Sequence, residues 1–564
     1  IMPKQYLEEP LELLNRTRES YSFNNKLTFD AGKAIPFFAQ PVIAGETYQL
    51  STSALCRTLS LVTCPMDNAK LNIWFFWAPC RILYDKWKNL RGELEDYWTG
   101  TEASYNIPQM TFPSGGFSEN SVADYFGVPP GIAPTNVPLS NMRYRAYAEI
   151  WNEWFRDQYI MPKILYQTDG TTVTGKQSGG DFVNTAAYGG DVAPLCRPHD
   201  VFGSALPFAQ RGKPEPIPIA SNSGRLPVYT GADHFADNVG DIGIPLQFHT
   251  TSAGSQLGPA YARPIGVQNF TSSANRGPWS TVGDTNSDAP GSSEIISPTN
   301  LWANVVGDVV ADINDLRVSV ALQHVKERMA ISGSRYREIL RSMYGVEYPD
   351  PLMDIPTYLG GFSQYVDFSP VVQTSSTDST SPQGNVAGYS STGVMDDGFV
   401  HEALEDGLLI GILGVRNVKT YQNGIDRAAT MYDDLDIWNP MFNGLGQMGI
   451  KNYEIFVSDA AGNKNTDVFG YQDAWYWWHN RPNQVCGQFR SGATNSLATW
   501  HFADNYATLP VLGRAWMTDN SATNINRVLA AQSPTYPQFL CDITVEGTVT
   551  SAMPAHLSPG LNRI

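Results

Sequence analysis

Hydrophobic and polar positions divide the chain into strand-forming ends and helix-forming stretches between them. Residues 28–79 read as strands and turns: Ala44-Gly45-Glu46 is a turn signal, Tyr48-x-Leu50 begins an alternation, and residues 71–77 make an aromatic-rich apolar run suited to a buried strand. The period then changes. Leu83, Trp87, Leu90, Leu94 and Tyr97 recur at three and four, with Asp85, Lys86, Lys88, Arg91, Glu93 and Glu95 between them, which predicts an amphipathic surface helix. A second helix is predicted after Ser140-Asn141, with Tyr144, Tyr147, Ala148, Trp151 and Phe155 on one stripe and Arg145, Glu149 and Arg156 on its other face. A third helical region covers residues 310–344, is expected to break at Ser332-Gly333-Ser334, and ends with Tyr336, Ile339, Leu340, Met343 and Tyr344 along one side.

Strand signals return downstream. Residues 408–415 are apolar without alternation, as in a strand covered on both faces, whereas Phe539, Cys541, Ile543 and Val545 alternate with Leu540, Asp542, Thr544 and Glu546. A sheet drawing on both ends of the chain fits a β-sandwich with insertions better than a string of domains. Residues 212–300 and 374–397 are rich in Gly, Ser and Thr. The first of these is too long for a connecting loop, and its Phe235, Phe248, Tyr261, Phe270 and Trp279 favour an ordered excursion. No tandem repeat is present.

Composition narrows the class. With 55 acidic and 38 basic residues among 564, the net charge is −17, so the chain as a whole lacks the basic excess that holds nucleic acid electrostatically. Charged residues are 16% of the chain against roughly 25% in ordinary soluble proteins, while aromatics reach 12%, so disorder is excluded and much surface must be covered. The first residues lack the apolar core and cleavage site of a signal peptide, so export by the usual route is not expected. The apolar runs at 71–80 and 408–415 are about half a membrane span, and no membrane insertion is expected. Cys56, Cys64, Cys80, Cys196, Cys486 and Cys541 form no C-x-x-C pair and are expected to be reduced, buried thiols.

Candidate chemistry is sparse. Cys196-Arg197-Pro198-His199 with His234 and His249 lacks a recognised zinc spacing, and neither a G-x-S-x-G elbow nor a G-x-x-x-x-G-K-[ST] loop is present. Asp433-Asp434-Leu435-Asp436 offers paired carboxylates but reads more simply as a solvated turn. The cluster Trp475-Tyr476-Trp477-Trp478 could stack sugars or bases; filling a sheet edge or a subunit contact is its plainer reading. Arg335, Arg337 and Arg341, interleaved with Tyr336 and Tyr344, form a candidate local DNA-contact patch, or the ordinary polar back of a helix. The residues alone thus leave two classes open: an assembly subunit, and a carbohydrate-binding or carbohydrate-active β protein.

Short motifs in a fixed order separate these classes. They include Thr28-Phe29-Asp30-Ala31-Gly32 with Pro36, Met66-Asp67-Asn68, Trp74-Phe75-Phe76 with Pro79, Arg81 and Asp85-x-Trp87, and Trp151-Asn152-Glu153-Trp154-Phe155-Arg156-Asp157-Gln158. Pro198-His199-Asp200-Val201-Phe202 and Ser204-Ala205-Leu206-Pro207 follow, then Tyr358-Leu359-Gly360-Gly361, Val371-Val372-Gln373-Thr374-Ser375 and Pro382-Gln383-Gly384-Asn385. Last come Phe469-Gly470-Tyr471-Gln472, Gly487-Gln488-Phe489-Arg490-Ser491 and Leu509-Pro510-Val511-Leu512. This series resembles the major capsid proteins of the Microviridae, small single-stranded DNA phages, and most closely the gokushovirus branch, over nearly the whole chain.

The resemblance implies a mainly β chain: an eight-stranded viral jelly-roll sandwich with long helical and loop insertions. Residues 1–212 and 301–564 would be the shell body, and residues 213–300 an inserted surface protrusion at the three-fold axis. It further implies a structural, non-enzymatic protein of the virion that builds a T=1 icosahedral shell around circular single-stranded DNA. Its expected partners are copies of itself, the DNA, a small basic DNA-binding peptide, a scaffolding protein during assembly in the host cytoplasm, and a host surface receptor. No cofactor or metal is expected, and His199 falls in a scaffold stretch. The aromatics Trp475, Tyr476, Trp477 and Trp478 are the candidate subunit interface.

Overall fold

The computed structural model describes residues 16–93, 104–213 and 313–553, less 348, 351–353, 378–382, 443 and 461, together with the short strands at 220–221, 228–230, 248–250, 296–298, 301–303 and 309–310. Nine strands of the body form two sheets. They are β1 (Thr17–Phe29), β2 (Ile35–Val42), β3 (Thr47–Thr58), β4 (Ala69–Pro79), β5 (Thr357–Tyr365), β6 (Phe368–Val372), β7 (Val386–Glu402), β8 (Gly407–Asn417) and, after two smaller strands, β11 (Phe539–Ser551). The smaller pair, β9 (Gln447–Lys451) and β10 (Val468–Asp473), makes a separate two-stranded ribbon.

One sheet has the order β1-β11-β3-β7-β6 and the other β5-β4-β8-β2. All of their pairings are antiparallel, and four of them nest: β1 with β11, β2 with β8, β3 with β7, β4 with β5. Such nesting of eight strands, split four and four between two sheets, is a jelly roll, with β6 added at one edge. The turn signal at Ala44-Gly45-Glu46 joins β2 to β3, with Gly45 at a φ of 85°.

The inner faces of the two sheets meet in one core. Leu27, Phe29, Cys541, Ile543 and Val545 come from the five-stranded sheet, and Phe37, Leu71, Ile73, Phe75, Leu409 and Leu413 from the other. The predicted alternation in β11 is seen: Phe539, Cys541, Ile543 and Val545 are buried, while Leu540 and Glu546 are exposed. The predicted two-sided burial of β8 is also seen, because the outer face of its sheet is covered by a second core. There Phe76, Ala78, Leu408, Ile410 and Ile412 pack with Tyr144, Tyr147 and Trp151.

These last three residues belong to helix α1 (Met142–Ile150) and the wider turn that continues it, Trp151–Phe155, where Arg156 N donates to Trp151 O at 2.9 Å. The apolar stripe is as predicted, but the opposite face is not solvated. Arg145 is fully buried and donates to the Leu83 and Asp169 carbonyls at 3.1 and 2.9 Å, and Tyr166 donates to Glu149 at 2.8 Å. Loops of the same insertion satisfy these polar groups, so the helix sits in protein on all sides.

The predicted helix beginning at Leu83 is replaced by two single turns, Cys80–Leu83 and Trp87–Leu90. Tertiary structure overrides the period: Tyr84 is extended and buried, the Asp85 amide is taken by Thr168 O at 3.0 Å, and Gly92 follows with a φ of 106°. Leu94 and Tyr97 lie outside the described residues. The third region forms α2 (Ile313–Ser332) and α3 (Tyr336–Tyr344), broken as expected at Gly333, whose φ is 97°.

Much of the Ser- and Gly-rich stretch at 374–397 is strand. β7 tolerates this composition through a bulge between Asp396 and Phe399, where a Cβ on Gly398 would lie 1.7 Å from Leu50 O. The cysteines depart from expectation. Cys56 and Cys541 are directly opposed on β3 and β11, with Cα atoms 4.2 Å apart, and are joined in a disulfide. Strand register brings them together, which no sequence spacing reveals. Cys64, Cys80, Cys196 and Cys486 are free, and Cys486 is exposed.

The chain divides into two compact units, Ile1–Arg211 with Glu327–Ile564, and Gly212–Lys326. The second carries three short antiparallel strand pairs: Phe248–Thr250 with Ile296–Pro298, Val228–Thr230 with Leu301–Ala303, and Ala220–Ser221 with Val309–Val310. Phe235, Tyr261, Phe270, Trp279 and His234 lie outside the described residues.

Candidate functional site

A dense polar cluster lies where the Pro198-His199-Asp200 stretch, the end of β8 and residues 504–524 converge. Arg197 reaches Asp504 at 2.6 Å, and Lys419 reaches Asp519 at 2.6 Å, with all four side chains closed to solvent. Asn520 links the pairs, donating to Asp504 at 3.0 Å and accepting from Lys419 at 2.7 Å. Tyr506 and Asn524 each donate to Asp504 at 2.6 Å, and the Arg197 guanidinium lies 4.1 Å from the Trp516 ring centroid. Burial alone would raise the Asp504 carboxyl, yet Arg197 and then Lys419, with those hydrogen bonds, hold it at about 2. The members come from three stretches of the chain, Arg197, Lys419 and residues 504–524, so the cluster ties these stretches together at the end of the sheet.

Asp200 completes it. Its carboxylate accepts from the Phe202 and Gly203 amides at 3.1 and 2.5 Å and from the Tyr421 hydroxyl at 2.6 Å. Neighbouring His199 is exposed, with its Nδ1 3.4 Å from the Ser204 hydroxyl. Among the described residues, no group of three or more His, Cys, Asp or Glu side chains is arranged to hold a metal ion.

The arginine patch is engaged within its own subunit. Arg335 is largely buried and pairs with Glu153 at 2.9 Å and Glu338 at 3.4 Å; Arg337 pairs with Asp350 at 3.0 Å and stacks 4.6 Å over Trp154. Arg341 is exposed, with Glu347 3.9 Å away. The three are therefore not one free basic face.

The aromatic cluster is likewise divided. Trp475, Tyr476 and Trp477 are buried in a third core with Ile450, Ile455, Phe202 and Trp516, while Trp478 stays 51% exposed. Over them lies the segment holding the acidic run: Trp475 and Trp478 donate their indole N–H groups to the Leu435 and Asp436 carbonyls at 2.9 and 3.3 Å. Asp433, Asp434 and Asp436 belong to one tight turn. Asp436 accepts from the Tyr432 and Asp433 amides at 2.9 and 3.2 Å and from Arg427 at 3.1 Å, so it staples the turn.

That segment presents a feature the hydropathy pattern did not single out. Tyr432 is 93% and Met441 89% exposed, beside half-exposed Ile437 and Trp438 and the free side of Trp478. The signal was present in Tyr432-Asp433-Asp434-Leu435-Asp436-Ile437-Trp438, but the aspartates dominated its reading. The buried charge cluster carried no comparable signal, since its members are spread over more than 300 residues.

Among the described residues no helix is long and apolar enough to cross a membrane. A sequence profile of the family described as capsid protein (F protein) matches residues 12–561. The chain is 33% identical to capsid protein VP1 of Chlamydia phage 1 over 598 aligned positions, covering 100% of this chain and 98% of that protein. It is 32% identical to capsid protein VP1 of Spiroplasma virus 4, covering 95% and 93% of the two chains, and 32% identical to that of Bdellovibrio phage phiMH2K, covering 96% and 95%.

Proposed function

Because the chain belongs to the capsid protein (F protein) family, we propose that copies of it close into a T=1 icosahedral shell around circular single-stranded DNA. A capsid subunit works by self-association, not turnover. The observation that carries the reading is the apolar ridge of Tyr432, Ile437, Trp438, Met441 and Trp478, exposed on the segment that covers the third core. Aromatic and Met side chains of this kind favour subunit contacts. Closed symmetry multiplies modest contacts, so weak pairwise interfaces give a stable shell whose errors can still reverse.

The net charge of −17 supports a division of labour in which a small basic DNA-binding peptide neutralises most of the genome. The inserted residues 213–300 form surface protrusions at the three-fold axes and contact a host surface receptor, and a scaffolding protein guides assembly in the host cytoplasm. Sizing of purified particles by electron microscopy tests the reading. Closed shells of one size containing DNA are expected; a monomer with hydrolytic activity on carbohydrate overturns it.

A further inference from the structure

Beside the buried charge cluster, at the ends of β4, β5 and β8, lies a cavity of 370 Å³ lined by Lys70, Asn72, Ser363, Arg416, Lys419 and Asp200. This is within the size range of small-ligand sites. Its electrostatics follow from which of these groups are already engaged. Lys419 is neutralised by Asp519, and the Asp200 carboxylate is turned to two amides and the Tyr421 hydroxyl, neutral donors that leave its charge to offset one cation. With Lys70 and Arg416 the lining is left one positive charge in excess.

Arg416 donates through Nη1 to Cys196 O at 3.1 Å and lies 5.9 Å from the Trp74 ring centroid. Among the described residues no carboxylate lies within ion-pair distance of it. Burial lowers its guanidinium from the ordinary value, and Asp519 and Cys196 offset only part of that cost. Lys70, 4.8 Å from the Tyr365 ring, likewise has no carboxylate within ion-pair distance among the described residues, and the exposed Ser363 also lines the cavity. A guanidinium with spare N–H donors, an ammonium and a hydroxyl facing one cavity, in a chain that is acidic overall, is a site awaiting an anion.

We propose that this cavity binds one phosphate group, with Arg416 and Lys70 as its counter-charges and Ser363 as a neutral donor, and that the phosphate belongs to the packaged single-stranded DNA. The assignment to DNA rests on the shell reading above; the phosphate site itself does not. One such site per subunit anchors the strand at a repeated position without neutralising it. Binding should therefore be weak in the isolated subunit and shallow in its salt dependence, since each neutralised phosphate contributes a slope of only about −0.7 in log K against log salt.

The test compares the full chain with Arg416→Gln and Lys70→Gln. Inorganic phosphate and a ten-residue oligothymidylate are titrated separately at matched ionic strength, with thermal stabilisation and direct binding as readouts. Wild type is expected to bind phosphate about tenfold or more tightly than either variant, and the oligonucleotide with the same ranking. Equal phosphate binding by all three chains overturns the site. Phosphate ranking without oligonucleotide ranking keeps the site and overturns its assignment to DNA. If Arg416→Gln folds poorly, Lys70→Gln decides alone, because Lys70 holds no ion pair in the fold. The ratio of nucleic acid to protein in wild-type particles reports separately: DNA-free particles contradict the shell reading and leave the phosphate result standing.

Discussion

Arg197 and Asp504 stand 307 residues apart in sequence and 2.6 Å apart in space, with neither side chain open to solvent. Removing one partner leaves the other as an uncompensated buried charge. Asp504→Ala is expected to cost about 3–5 kcal/mol, read as a lowered urea midpoint of the purified subunit. Glu347→Ala, which breaks the exposed pair with Arg341, should cost under about 1 kcal/mol.

The same carboxylate sets an acid limit. Asp504 sits at about 2 in the fold against an ordinary 3.8, so the folded state holds its proton less tightly than the unfolded chain. Its contribution is present above about pH 4 and is lost as pH falls toward 2, on the order of 2 kcal/mol in total. Unfolding measured between pH 5 and 2 should show this loss in wild type and a flatter profile in Asp504→Asn.

The disulfide gives a redox prediction. Cys56 and Cys541 are 485 residues apart and tie the central strand of the five-stranded sheet, β3, to its neighbour β11. Cys541→Ser should lower stability by about 2–5 kcal/mol, and dithiothreitol should lower the wild-type melting temperature without affecting the variant.

Burial separates the aromatic neighbours. Trp477→Ala empties a core position and should cost about 3–5 kcal/mol in the isolated subunit. Met441→Glu should leave subunit stability within about 0.5 kcal/mol of wild type, whereas Trp478→Ala, which loses the indole bond to Asp436 O, should cost about 1 kcal/mol. Both are expected to reduce particle yield, scored by sedimentation. Full particle yield from Met441→Glu would exclude the ridge from the subunit contact.

Replacing residues 219–284 by a short linker should leave shell formation intact and impair infection. Loss of folding in that deletion would place the excursion in the structural body.

What the sequence disclosed was local. The two-sided burial of β8, the alternation of β11, the stripe on α1 and the break at Gly333 each follow from the period and chemistry of a few neighbours. The jelly roll itself came from ordered motifs spanning the chain. What stayed hidden depends on register and on contacts between distant segments. Cys541 opposes Cys56 only once β11 is paired with β3, and Arg145 looks like a surface residue until the Leu83 and Asp169 carbonyls close over it. The two cations of the phosphate cavity come from strands separated by hundreds of residues, so no motif could join them.

The nested pairing has a consequence for how the subunit is made. β1 pairs along its whole length with β11, Thr17 opposite Ser551 and Phe29 opposite Phe539. One sheet therefore cannot be completed until β11 has been synthesised, and its formation is slow because its contacts are so distant in sequence. A prematurely terminated chain lacks the strand between β1 and β3. Closure of the roll thus waits on the last of its nine strands, and the first strand must stay unpaired until then.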